Sequence, residues 1–392
     1  MPSDRRLGVG FLGAGNLNRL HHMPNVAGIG RARVEAVCDV DPQRLDSAAR
    51  RFQPRLATQR YEDMLADPQV ELVIIATAPP LQPDLVRQGL EAGKHVFVEK
   101  PMAQTAEQCL QLARLAEAKG RVLATGYNRR FAPAYRDVKR AVEAVNVPPM
   151  ITYRLLDDTR DRPDWHEQPH LIDEVCHIFD LLSWLIDDEP TEVYCAQVPV
   201  QEYQLILRFA GGATGHILTG GRGNFAWPKE RIEVVLDHAV VAVEDFVELR
   251  AANVAGLEHK CYAGREYEGW ARGYAERMAS EGLAVDLALR KQIADVWQRD
   301  GLADMPPGGE REALRQRNFA GQVLPPVNYM VDKGWFAAME HLIGALLADD
   351  EPDNAGGTDA ARSIACAEAA DESARTGRVV CLDRSSWQVG RE

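Results

Sequence analysis

The chain has 392 residues, 46% of them hydrophobic and 26% charged, with 45 basic against 58 acidic side chains and a net charge of −13. That length and balance suit a core-forming protein of two domains and exclude a disordered chain. The acidic excess gives no general attraction for phosphate backbones or anionic lipid, so neither nucleic acid nor a membrane is an expected partner.

The first predicted strand, Leu7 to Leu12, runs directly into Gly13-Ala14-Gly15-Asn16-Leu17-Asn18, and a second apolar run, Val34 to Cys38, ends in Asp39. Strand, glycines, helix and acid in this order read as a dinucleotide site. Gly13 permits the tight turn into the helix, and Gly15 lets a pyrophosphate approach the backbone N–H groups of the helix N-terminus. Asp39 stands where an acid meets the adenosine ribose hydroxyls, and its charge repels a 2′-phosphate, so NAD is expected over NADP. Asn18 replaces the third glycine of G-x-G-x-x-G, which asks for looser packing of helix on strand.

Val70 to Thr77 and His95 to Glu99 are nearly continuous apolar runs, as strands buried on both faces are, and Asp84 to Ala92 between them has helical spacing and stops at Gly93. With Arg121 to Thr125 as its last strand, residues 1–125 form a doubly wound parallel sheet of Rossmann type. Short β-rich runs follow at Met150 to Leu156, Thr191 to Val200, Gln204 to Phe209, Ala213 to Leu218, Arg231 to Leu236 and Ala239 to Glu244. Residues 126–392 are therefore expected to form an α+β domain with a large, mainly antiparallel open sheet, whose free face offers a subunit contact. Tyr262 to about Ala320 is helix-like with a break at Met305 to Gly309. Thr358 starts a helix to Arg375, expected to pack back toward the first domain, before a strand at Arg378 to Leu382.

Seven cysteines, none in C-x-x-C spacing, suggest neither a disulfide framework nor a zinc cage. His21, His22, His166, His170 and His259 likewise show no metal spacing, and no metal is expected. Nothing apolar follows Met1 to Arg6 that resembles a signal core, and no later run is long enough for a bilayer, which makes the cytoplasm the expected location.

Glu99-Lys100-Pro101 lies just past the carboxyl end of a parallel strand, the edge where open α/β sheets place their ligands. Through Glu91 to Pro101 and then Gly126 to Phe131, the chain resembles the glucose-fructose oxidoreductase, inositol dehydrogenase and rhizopine-catabolism (Gfo/Idh/MocA) family. Pro228 to Val234, Asp332-Lys333-Gly334 and Ser373 to Arg378 extend the likeness over nearly the whole chain. The stretch Asp173 to Asp180 resembles the family's D-x-G-x-H-x-x-D helix, and i, i+4 spacing predicts Asp173 and His177 on one face.

The resemblance implies reversible oxidation of a secondary alcohol on a sugar or cyclitol, with hydride passing to NAD. His177 is then the general base, with Asp173 either orienting it and favouring its protonated form or binding a neighbouring hydroxyl, and the Lys100 ammonium stabilises the alkoxide. Gly13, Gly15, Asn16, Leu17, Asp39, Arg44, Thr77, Glu99 and Asn128 are the expected cofactor-binding residues. Lys100, Asn128, Arg130, Trp165, Asp173 and His177 are expected around the substrate. A homodimer or homotetramer through the second sheet is implied as well.

Three departures stand out. Gln82 takes the place of a frequent family histidine, and Val175 replaces the glycine of D-x-G-x-H. Residues 262–320 form an insertion with Trp270, Tyr274 and Trp297, expected either to cap the substrate cleft or make a subunit contact, or to pack as a helical decoration. Two other functions use the same residues: an enzyme that retains NAD and oxidises its sugar transiently for elimination, epimerisation or glycoside cleavage, and a non-catalytic sensor of NAD or sugar.

Overall fold

A computed structural model of the chain describes residues 5–157, 169–198, 201–224, 226–265, 272–299, 301, 310, 313 and 330–388. Strands β1 (Leu7–Leu12), β2 (Ala32–Cys38), β3 (Leu56–Thr58), β4 (Leu72–Ile75), β5 (His95–Val98) and β6 (Leu123–Thr125) pair in parallel in the order β3-β2-β1-β4-β5-β6. Every residue of β1 and β4 is buried, which explains why these strands read as unbroken apolar runs. The helices of this domain are α1 (Met23–Gly28), α2 (Pro42–Phe52), α3 (Tyr61–Ala66), α4 (Gln82–Glu91) and α5 (Ala106–Lys119). Chain order reverses between β1 and β4, so a crevice opens at their carboxyl ends.

The second domain adds α6 (Pro133–Val145), β7 (Met150–Leu156) and α7 (Cys176–Ile186), followed by strands β8 (Pro190–Val198), β9 (Glu202–Phe209), β10 (Thr214–Gly220), β11 (Glu230–Val235), β12 (Val240–Glu244), β13 (Glu248–Ala252) and β14 (His259–Cys261). With β15 (Val380–Cys381) they form a nine-stranded sheet in the order β14-β13-β12-β11-β7-β10-β9-β8-β15, antiparallel except where β10 meets β7. Burial alternates along β9, residue by residue, because one face packs on helices and the other does not. Ile178, Leu181 and Leu182 of α7 join Val138 of α6 and Leu205 of β9 in that core. Met150, Tyr194 and Ile206 are exposed on the other face.

Two strands at one end of the sheet, β13 and β14, escaped the sequence reading. They are short and carry Glu248, Arg250, His259 and Lys260, so neither an apolar run nor clean alternation marks them.

Within the insertion, α8 (Arg272–Glu281) and α9 (Leu283–Arg299) pack on the edge of this sheet. Met278 and Val285 enter the second domain's core, and Tyr274 packs against it. Arg290 is buried between Asp245 and Asp286. These two helices are thus anchored to their own sheet, while Trp270 and the side chain of Trp297 lie outside the described residues.

Helix α10 (Trp335–Ala348) precedes α11 (Gly357–Thr376), which crosses from one domain to the other. A Cβ on Gly357 would sit 2.6 Å from that of Ala113 on α5, and the Thr125 N–H donates to the Ala355 carbonyl at 2.7 Å. Ala355, Ala360, Ala361 and Ile364 share a core with Val73 and Val96 of the first sheet.

Candidate active site

The turns that follow β1, β2, β4, β5 and β6 meet at the carboxyl edge of the parallel sheet. Gly13 has φ +89°, and a Cβ there would lie 2.6 Å from the Ala76 carbonyl oxygen, so only glycine fits beside β4. A Cβ on Gly15 would meet nothing within 4 Å. It faces the open space that a pyrophosphate requires. Asp39 reaches back across this turn, accepting the Ala14 N–H at 2.6 Å and the Asp41 N–H at 2.8 Å.

Asn18 corrects the expectation of looser packing. Its amide donates to the carbonyls of Leu12 and Gly13 at 3.1 and 2.6 Å, so it ties the helix to the strand where a third glycine would only have left room. A π-helical turn over Asn18–His22 carries the chain into α1. Asn16 and Leu17 stand at this helix entrance, Asn16 exposed and accepting from Arg19 at 3.2 Å. Arg44 is exposed on the first turn of α2 and pairs with Asp41. Thr77 borders the glycine turn, with its hydroxyl buried and without a partner among the described residues, while Gln82 donates to the Thr77 carbonyl at 3.4 Å. An open glycine face, an unfilled hydroxyl and an acid at the end of β2 are a donor and acceptor set that fits a dinucleotide.

Lys100 follows β5. Its ammonium donates to the Asp173 carbonyl at 2.6 Å and lies 3.3 Å from Asp173 Oδ1 and 3.4 Å from Glu174 Oε1. Burial alone would lower its pKa, but Glu174 and Asp173 outweigh that and raise it, so the side chain remains an ammonium. Glu174 also stands 3.9 Å from the ammonium of Lys229, which donates to Asp157 at 2.8 Å. Two cations and three carboxylates thus share one chain of contacts.

His177 is buried, with its ring edge-on to Tyr127 at 5.7 Å. Its Nδ1 is buried with no partner among the described residues. Burial, then the charges of Arg129 and Lys100, hold its pKa well below the ordinary histidine value. The expectation that Asp173 orients and protonates this ring is therefore corrected. Leu171–Val175 is a π-helical turn, which breaks the i, i+4 register before α7 begins, and Asp173 turns to Lys100 instead.

Three other expected site residues have structural partners. Glu99 is buried, accepting from the Lys100 N–H at 3.1 Å and bonded to His22 Nε2 at 2.8 Å, which turns it from the cofactor crevice to the first helix. Asn128 donates its amide to the Lys333 carbonyl at 2.6 Å, where the D-K-G turn is fastened, in place of a nicotinamide contact. Arg130 is buried in a two-pronged pair with Asp180 and also meets Asp359 at 2.9 Å, so it braces α7 against α11 instead of facing substrate. Trp165 lies outside the described residues.

The sequence reading missed Glu174, Lys229 and Tyr127, although each lay inside a stretch quoted for its family likeness. It also missed the buried knot around Glu230, which accepts both prongs of Arg129 at 2.8 and 2.9 Å, the Lys333 ammonium at 2.8 Å and the Tyr153 hydroxyl at 2.6 Å. Although burial opposes ionisation, Arg129 and Lys333 hold the Glu230 carboxyl well below its ordinary range. The knot fixes the turn after β6 to β11 and the loop before α10, directly behind His177.

Residues 7–127 match the Gfo/Idh/MocA group, described as an oxidoreductase family with an NAD-binding Rossmann fold. An inositol 2-dehydrogenase of Acidothermus cellulolyticus is 32% identical over 195 residues, which cover 49% of this chain and 57% of that protein. One from Rhizobium meliloti is 28% identical over 254 residues, covering 60% and 75%. The chain spans 52 to 57% of the length of four curated inositol dehydrogenases that are 30 to 32% identical to it. A levoglucosan dehydrogenase solved with NADH and L-sorbose shares the fold over 97% of this chain and 99% of its own, with a TM-score of 0.72 and 19% identity. Among the described residues no helix is long and apolar enough to cross a membrane.

Proposed function

We propose that the chain, whose residues 7–127 match the Gfo/Idh/MocA oxidoreductase family, is an NAD-dependent dehydrogenase acting on a secondary hydroxyl of a sugar, sugar derivative or cyclitol. The observation that carries this reading is that the open glycine turn after β1 and Lys100 after β5 lie at one carboxyl edge of the parallel sheet, with the Lys100 ammonium held by Asp173 and Glu174. The names of the inositol and levoglucosan dehydrogenases support the substrate class.

NAD, when bound, supplies the hydride acceptor. The residues that would hold it are Gly13, Gly15, Asn16 and Leu17 at the helix entrance, Asp39 and Arg44 at the ribose end, and Thr77 after β4. The carboxylate of Asp39 disfavours a 2′-phosphate, hence NAD over NADP. His177, held in its neutral form, accepts the proton of the reacting hydroxyl. Lys100 donates a hydrogen bond to the same oxygen and stabilises its developing negative charge. Asp173 and Glu174 hold the ammonium in place, so it is positioned before substrate arrives. The exposed outer face of the second sheet, with Met150, Tyr194 and Ile206, is the subunit contact of a homodimer or homotetramer.

The test is the near-ultraviolet absorbance of reduced nicotinamide as the protein meets monosaccharides, cyclitols and their derivatives with NAD or NADP. A rise with NAD that disappears in Lys100→Ala is expected. Turnover without accumulation of reduced cofactor would replace this reading with a retained-cofactor enzyme. Absence of any turnover, with the biological output intact in Lys100→Ala, would replace it with a sensor.

A further inference from the structure

Away from the crevice, at the far edge of the second sheet, three metal-binding side chains converge. His259 and Cys261 are separated by one residue on β14 and therefore point to the same face. Glu248 is the cross-strand partner of Cys261 on β13. The His259 Nε2 lies 3.2 Å from Glu248 Oε1 and 3.8 Å from the Cys261 sulfur, and all three donor atoms fall within 4.8 Å of one another. A tetrahedral zinc ion with bonds of about 2.0 Å to nitrogen or oxygen and about 2.3 Å to sulfur spaces such ligands about 3.3 Å (N to O) and about 3.5 Å (N to S) apart. The side chains are therefore near ligand spacing before any ion arrives.

The turn between α8 and α9 closes over the same place. Gly282 adopts φ +64°, and a Cβ there would stand 2.8 Å from the Cys261 sulfur and 2.9 Å from Glu248 Oε2. Any larger residue would fill the space around the donors. The Leu283 N–H donates to Glu248 Oε2 at 3.0 Å, leaving Oε1 toward the histidine and the sulfur. Arg250 also donates to Oε1 at 2.7 Å from a side chain that is 75% exposed, so an ion at Oε1 would displace it toward solvent.

We propose that Glu248, His259 and Cys261 bind one zinc-class divalent ion, which clamps the β13–β14 hairpin to the α8–α9 turn at the base of the insertion. One thiolate, one imidazole and one carboxylate are the donor set that zinc takes. Water fills the fourth position on the side where His259 is exposed. Binding displaces the Cys261 thiol proton to solvent and involves no change of oxidation state. The site is separate from the dehydrogenase chemistry and uses none of its residues.

The experiment uses the full chain, stripped with a chelator and titrated with Co²⁺ as the spectroscopic stand-in for Zn²⁺. One cobalt per chain is expected, with a thiolate-to-cobalt charge-transfer band and tetrahedral visible bands that Zn²⁺ abolishes by displacement. Cys261→Ser should remove the charge-transfer band, whereas Cys381→Ser, at the other end of the sheet, should keep it. His259→Gln, on the exposed part of the strand, should weaken binding by about tenfold or more, since even outer-shell partners of a metal contribute that much. No charge-transfer band in the wild-type chain, or an undiminished band in Cys261→Ser, overturns the proposal.

Discussion

Lys100 Nζ lies 2.6 Å from the carbonyl oxygen of Asp173 and 3.3 Å from its Oδ1, so this aspartate holds the lysine and not the histidine. Lys100→Ala should lower kcat by about 10²–10³-fold, the usual loss for a donor to a developing oxyanion. Asp173→Asn keeps the carbonyl contact and should cost less, about tenfold. Its pH profile should follow the wild type, because His177 is not its partner. A shifted acid limb in Asp173→Asn would restore the aspartate to the histidine.

The two protonation states predict the shape of the rate profile. His177 has a pKa below the ordinary ~6.5, so its proton-accepting form persists as the pH falls through that value. Lys100 has its pKa raised, so its ammonium persists on the alkaline side. A plot of kcat/KM against pH should hold its plateau below pH ~6.5 and show no alkaline fall from Lys100 near its unperturbed pKa of ~10.4. An acid limb above pH 7 would show that a different group takes the proton.

Asp39 has two tasks, and its variants should separate them. Asp39→Asn retains an acceptor for the Ala14 N–H but removes the charge. Its preference for NAD over NADP, as a ratio of kcat/KM values, should fall by about tenfold or more, which corresponds to about 1.4 kcal/mol. Asp39→Ala should also raise the KM for both cofactors, because the glycine turn loses its fastening. An unchanged ratio in both variants would remove Asp39 from cofactor selection.

The knot at Glu230 should matter for stability more than for chemistry. Glu230→Leu leaves Arg129 and Lys333 buried without their carboxylate, and breaking a buried charge pair from one side costs about 3–5 kcal/mol. Denaturant unfolding should show this loss. A variant as stable as the wild type would mean that other acceptors take over both cations.

The parallel sheet, the glycine turn and the lysine after β5 were legible because each depends on local pattern: apolar runs, positive φ and position at a strand end. Of the nine-stranded sheet, β7 to β12 and the edge strand β15 were legible, whereas β13 and β14 were not, because their short polar sequences show neither an apolar run nor clean alternation. The relation of Asp173 to His177 was not, because the π-helical turn changes the phase by which an i, i+4 pair is read. Arg130 and Asn128 sit in a stretch read for its resemblance to the family, yet their partners Asp180, Asp359 and Lys333 come from 50 to more than 200 residues away along the chain. No local pattern announces such pairings. The same holds for Glu248 with His259 and Cys261, since a ligand set split between two strands has no sequence spacing to recognise.

The crossing of α11 has a consequence for the order of events during synthesis. Ala355, Ala360, Ala361 and Ile364 lie in one core with Val73 and Val96, and Ala355 accepts the N–H of Thr125. A nascent chain that has just completed β6 still lacks part of the apolar surface that will cover its sheet. More than two hundred further residues must leave the ribosome before that covering arrives. Until then the nucleotide-binding half exposes the surface reserved for α11, and a chain stopped before Gly357 carries that exposed surface permanently.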